Sequence, residues 1–124
     1  MTKNRKHVAV ALSLIAVAAV LHGYEHSVVG RREPDWFFFI WSMAPYIACL
    51  LILILSPTGL HVISAAGVSL LMDAYMHYSV VTSDNSTAVL GYLWMPIWNL
   101  IIFVPLSMWI TLILVRRSVG ENAL

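Results

Sequence analysis

Trp36–Leu55 reads WFFFIWSMAPYIACLLILIL, twenty consecutive residues without a formal charge. Aromatic side chains open the stretch, and Ser56-Pro57-Thr58-Gly59 supplies turn residues behind it. A helix rises 1.5 Å per residue, so this run is about 30 Å long, the thickness of a hydrocarbon core. Aromatic rings collect at the boundary between membrane and water. The segment therefore reads as a membrane-spanning helix.

The flanking sequence repeats the pattern with interruptions. Val8–Leu21 is apolar and follows Lys3, Arg5 and Lys6. Alone it covers only about 21 Å, so a crossing helix must continue through His22–Val29, with Gly30 as a stop. The third run, from Leu60, is uninterrupted to Met72, then meets Asp73 and His77 before Val80 and Val81. Ser83-Asp84-Asn85-Ser86-Thr87 forms a polar turn, with Ser or Thr as a helix N-cap. The fourth run, Ala88–Val115, spans roughly 42 Å and contains Pro96 and Pro105. Kinks, tilt or an interfacial first turn are expected there, with Arg116 and Arg117 ending the helix.

These runs predict an all-α fold, an integral membrane four-helix up-down bundle in one transmembrane domain over residues 1–124. Its helices are expected near 8–29, 36–55, 60–81 and 88–115. The first is read as retained, because the small-residue site Ala16-Val17-Ala18 lies inside the apolar run. Lys3, Arg5, Lys6, Arg116 and Arg117 fall on one side of such a bundle, against Arg31 and Arg32 on the other. Both termini are therefore expected in the cytoplasm.

Composition agrees. Of 124 residues, 60% are apolar and 10% charged, and the mean hydropathy is +0.84. A soluble domain carries about a quarter charged residues, so a soluble globular enzyme is excluded. Cys49 is alone, which excludes a disulfide scaffold, and a net charge of +1 provides no field for nucleic acid. The expected location is the cell membrane, plasma or inner. The expected partners are the lipid bilayer and another membrane protein, with no nucleic acid.

Ionisable groups inside such helices carry the functional signal. His22-Gly23-Tyr24-Glu25-His26 puts two imidazoles one turn apart, with Glu25 beside them. Asp73-Ala74-Tyr75-Met76-His77 puts a carboxylate and an imidazole at the same spacing. His22 lies 14 residues beyond Val8 and Asp73 lies 13 beyond Leu60, so both clusters are expected at one depth near the outer leaflet. Small residues permit the first and third helices to approach: Ala9, Ser13 and Ala16 on one; Ser64, Ala65, Gly67 and Ser69 on the other. If they touch, His22, His26, Asp73 and His77 make a metal-ligand set suited to zinc or copper, with Glu25 as spare or second-shell ligand. Met72 and Met76 would add thioethers for Cu(I). The plainer alternative is polar residues collected at an interface, and the third is a proton or small-ion relay.

His22-x-x-Glu25-His26 matches the inverted-zincin pattern, but a peptidase needs a further ligand and a substrate cleft. Asp73-x-x-x-His77 resembles half of the copper site in the C subunit of the particulate methane monooxygenase family, without the second histidine expected a dozen or so residues on. A haem between His22 or His26 and His77 has no second pair at the other surface. His61 reads as a headgroup contact, Cys49 as a small hydrophobe, and Asn99 as an interhelical hydrogen-bonding residue near Pro96. Arg31, Arg32, Glu33 and Asp35 read as a solvated outer loop.

With neither nucleophile nor cavity legible, the expectation leans away from an enzyme. It favours a small multi-pass membrane protein of non-catalytic accessory, partner-binding or inhibitor/immunity type. The alternative is a transition-metal- or ion-handling membrane protein built on the outer His/Asp cluster.

Overall fold

A computed structural model describes residues 4–29, 36–56, 59–84, 87 and 90–123. The expected Gly30 stop, the outer loop of Arg31, Arg32, Glu33 and Asp35, Asn85 and Ser86 of the polar turn, and the first two residues of the fourth run lie outside the described residues. The described chain is all-helical. Helix α1 is Arg5–Tyr24 and runs on into a π-helical turn, Glu25–Val29. Helix α2 is Trp36–Leu55 and α3 is Leu60–Thr82. Helix α4, Leu90–Trp98, joins α5, Val104–Asn122, through a π-helical turn at Asn99–Phe103. The four resulting rods include three that are long and apolar enough to cross a membrane: Arg5–Ser27, Trp36–Leu55 and Leu90–Asn122.

Local sequence accounts for the ends and irregularities. Asn4 caps α1, its side-chain oxygen accepting from the Lys6 N–H at 3.1 Å. Gly59 precedes α3 with φ 73°, and a Cβ there would sit 3.2 Å from Leu53 Cδ1, so both conformation and space favour glycine. Pro105 has no N–H to give Ile101, and its ring would press on that carbonyl. The ladder widens just before it, the Val104 N–H bonding the Asn99 carbonyl five residues back. The fourth rod does not end at Arg116 and Arg117 as expected, but continues to Asn122. Arginine is a good helix former, so the charges end the apolar run without ending the helix.

Helix α3 packs against α1, α2, α4 and α5. Along α1 the buried positions are Ala11, Ala18, His22 and, in the turn that follows, Glu25; with half-buried Val8 and Ile15 they form a repeat of three and four residues, flanked by other half-buried side chains such as Leu14 and Leu21. The small residues expected at this contact, Ala9, Ser13 and Ala16, are instead exposed. Ala11 and Ala18 take their place, because the packing seam follows the heptad rather than the density of small side chains.

The core changes character along the rods. One layer joins Ala11, Cys49, Leu53, Val62, Ala65, Ala66 and Val104, all apolar. The next holds Ala18, Met43 and Tyr46. Beyond it the same seams carry His22, Glu25, Asp73 and Asn99, still buried. Contacts rise together in residue number between α1 and α3, from His7 near Gly59 to His22 at Asp73. They run oppositely between α3 and the fourth rod, from His77–Tyr92 through Asp73–Asn99 to Ser64–Ser107.

Candidate functional site: a buried imidazole–carboxylate cluster

His22 lies between two carboxylates. Its Nδ1 is 2.7 Å from Glu25 Oε2 on its own helix, and its Nε2 is 3.1 Å from Asp73 Oδ2 on α3. His22, Glu25 and Asp73 are only 3%, 5% and 4% exposed, so these contacts lie in the protein interior, where isolated charge is costly. A neutral imidazole has one N–H, so a ring facing carboxylates at both nitrogens donates to both only as imidazolium.

The Asp73 carboxylate is the hub. Besides His22 it accepts from the Tyr46 hydroxyl of α2 at Oδ2 and from the Asn99 amide at Oδ1, 2.7 Å away. Tyr46 and Asn99 are fully buried. All four rods thus meet on one side chain. Asn99 reaches it from the first residue of the π-helical turn, so the widening before Pro105 starts at the position that supplies the hydrogen bond. Glu25 likewise opens the π-helical turn of α1.

The outer edge of the cluster is His77. It is partly exposed, its Nδ1 lying 3.0 Å from Glu25 Oε1 and 3.1 Å from the Tyr92 hydroxyl. Its ring meets Tyr24 edge-on at a centroid distance of 6.2 Å. A cavity of about 10 Å³ adjoins the cluster, lined by His22, Glu25, Ser42, Asp73, Tyr92 and Met95 among others. That volume suits about one water molecule and no organic substrate.

Of the residues singled out in the sequence, His22, Asp73 and His77 are gathered here, with Glu25 at the centre rather than at the margin. His26 is turned elsewhere, against Phe38 and Phe39 of α2, with ring centroids 6.5 and 6.3 Å away. The heptad explains the split: Glu25 continues the seam of Ala11 and Ala18, and His26 lies one residue off it. Tyr46 and Tyr92 carried no warning in the sequence. Among the described residues, no group of three or more His, Cys, Asp or Glu side chains is arranged to hold a metal ion. Here the donor atoms face one another. Comparison with protein-family models, curated proteins and solved structures finds no match for this chain.

Proposed function

We propose that the chain is a multi-pass protein of the cell membrane, an up-down bundle with cytoplasmic termini. We propose further that it handles ions by taking up and releasing protons at this cluster from the outer side. Support for the orientation comes from charge: Arg5, Lys6, Arg116 and Arg117, the Lys and Arg residues among those described, lie toward one end. The observation that carries the function is His22, buried between Glu25 and Asp73 with a ring nitrogen on each.

Hydrogen bonds link Glu25 to His22 and His22 to Asp73, and the ring of the partly exposed His77 stands 3.0 Å from the other Glu25 oxygen, which has no hydrogen-bond partner of its own. His22 can accept a proton at Nδ1 from the Glu25 side and release the other at Nε2 toward Asp73, so the ring ends neutral and the proton has moved inward. Past Tyr46 and Asn99 the described core is the apolar layer around Ala11, Val62 and Val104. The series therefore ends within the bundle and favours proton binding over conduction.

The test is a pH step applied outside proteoliposomes, with dyes reporting proton uptake and internal pH. Wild type is expected to take up on the order of one proton per chain without sustained flux, and His22→Ala with Glu25→Gln to take up less. Equal uptake in both proteins would overturn the reading, and sustained flux would overturn the binding-only part.

The accessory or partner-binding reading is favoured by one feature, the exposed aromatic start of α2 at Trp36 and Phe37, with Phe37 stacked on Trp41. Co-purification of one stoichiometric membrane partner, lost in Trp36→Ala/Phe37→Ala, would establish it.

A further inference from the structure

One oxygen of Glu25 is left without a donor. Its Oε2 meets His22, whereas its Oε1 is shielded from solvent and accepts no hydrogen bond among the described residues. A carboxylate only 5% exposed has lost its hydration, so an unpaired oxygen there is costly. His77 Nδ1 is near enough, at 3.0 Å, but its bond goes elsewhere. A ring nitrogen has one in-plane direction for its proton or lone pair, and in His77 that direction serves the Tyr92 hydroxyl, 3.1 Å away.

The cavity of about 10 Å³ beside the cluster has room for the missing donor. Glu25 and Tyr92 both line it, together with His22, Ser42 and Asp73. A cavity of about one water's size holds a water when several polar groups surround it, and this lining meets that condition. The titratable groups around Glu25 are His22 beside it, Asp73 beyond that ring, His77 on α3, Tyr46 on α2 and Tyr92 on α4. Among them Tyr92 alone joins the cavity to the partly exposed His77 by a hydrogen bond.

We infer that one ordered water in this cavity, held by Glu25 Oε1 and the Tyr92 hydroxyl, is the proton's way in to the buried pair. This rests on the proton-binding reading above and supplies its entry path. His77, protonated from outside, gives its Nδ1 proton to the Tyr92 oxygen. The Tyr92 O–H proton passes to the water, and a water proton passes to Glu25 Oε1. Each N–H or O–H bond broken is matched by an O–H bond formed. His77 loses its positive charge, Glu25 loses its negative charge, and Tyr92 and the water are restored. Reversal of the same shifts releases the proton, so binding one proton needs no rotation of the imidazole.

The experiment follows proton uptake after flash release of protons from a caged acid outside proteoliposomes, read by an external dye. Tyr92→Phe should slow uptake by about a hundred-fold, the low end of what a positioned proton-transfer group contributes, with amplitude and thermal stability unchanged. Ser42→Val, which replaces a lining hydroxyl with carbon, should slow it in the same way. Tyr75→Phe, at an exposed position of α3, should leave the rate as it is. Infrared difference spectra between neutral and acid buffer should show a water O–H stretch that moves in oxygen-18 water and is lost in Ser42→Val. An unchanged rate in Tyr92→Phe, no oxygen-18-sensitive band, or a band that survives Ser42→Val would each overturn the relay and leave proton binding standing. Lost amplitude in Tyr92→Phe would put the hydroxyl in the binding site and overturn its role at the entry. A wild type that takes up no proton would overturn both readings.

Discussion

His22 Nε2 lies 3.1 Å from Asp73 Oδ2, a hydrogen bond between residues 51 positions apart that joins α1 to α3. Both side chains are buried, and each is held by further partners: Glu25 on the imidazole, Tyr46 and Asn99 on the carboxylate. Such a contact orders the polar layer, because removing any one member strands the others away from water.

Asp73 should accordingly be the most sensitive member. Asp73→Ala leaves the donors of His22, Tyr46 and Asn99 without their acceptor, and should cost about 3–5 kcal/mol, the range for breaking a buried charged pair. Asp73→Asn keeps one carbonyl acceptor and should cost about 1.5–3 kcal/mol. Unfolding titrations in mixed micelles, followed by tryptophan fluorescence, will rank them. Equal losses would mean that the hydrogen bonds do not converge on Asp73.

The two histidines of α1 should differ in weight. His22→Ala removes a ring facing two carboxylates, and should destabilise the bundle more than His26→Ala, whose ring lies against Phe38 and Phe39. The expected margin is on the order of 1–3 kcal/mol. The reverse order in the same titration would place His26, not His22, in the clasp.

The seam of α1 predicts opposite outcomes for alanines that look alike in the sequence. Ala11→Leu and Ala18→Leu enlarge side chains with no exposure, and should cost about 1–3 kcal/mol each through overpacking. Ala9→Leu and Ala16→Leu point away from the core and should be close to neutral. Comparable effects at all four positions would contradict the heptad contact.

Two glycines make a sharper pair. A Cβ on Gly91 would collide with the Met76 thioether, whose side chain lines the small cavity, so Gly91→Ala must swing that flexible side chain aside and should forfeit most of the roughly 0.5–1 kcal/mol that alanine gains over glycine in a helix. Shortening the neighbour in Gly91→Ala/Met76→Ala should recover part of that loss. Gly23 has no such neighbour, and Gly23→Ala should stabilise helix α1 by about 0.5–1 kcal/mol. Thermal melts of the purified variants decide both, and a Gly91→Ala as stabilising as Gly23→Ala would remove the close contact from consideration.

The proposed orientation is tested by reporters. A fusion after Leu124 should behave as cytoplasmic and one inserted after Asp84 as external, each read by enzymes active on one side of the membrane. An external C-terminus would overturn the four-span arrangement with cytoplasmic ends.

What the amino-acid sequence determined by itself was local. Uninterrupted apolar length set helix α2 at Trp36–Leu55, and the apolar residues on both sides of Asp73 and His77 set α3, expected at 60–81 and found at Leu60–Thr82. A carboxylate and imidazoles on otherwise apolar helices marked His22, Asp73 and His77, because polar groups in such segments are costly without partners. The choice of Glu25 over His26 was not legible: α1 is apolar on nearly every face, so the sequence put His26 in the set and Glu25 at its margin, and only packing showed which seam faces the bundle. The register between separate helices was not legible. Tyr46, Tyr92 and Asn99 reach the cluster only because α2 and the fourth rod pack on α3 at particular heights, and the π-helical turn adds a residue before Val104. Helix periodicity says which side chains share a face, whereas the meeting of faces from different helices depends on interdigitated packing over the whole bundle. The residues that could carry chemistry were thus written in the chain, and their partners were chosen by tertiary packing.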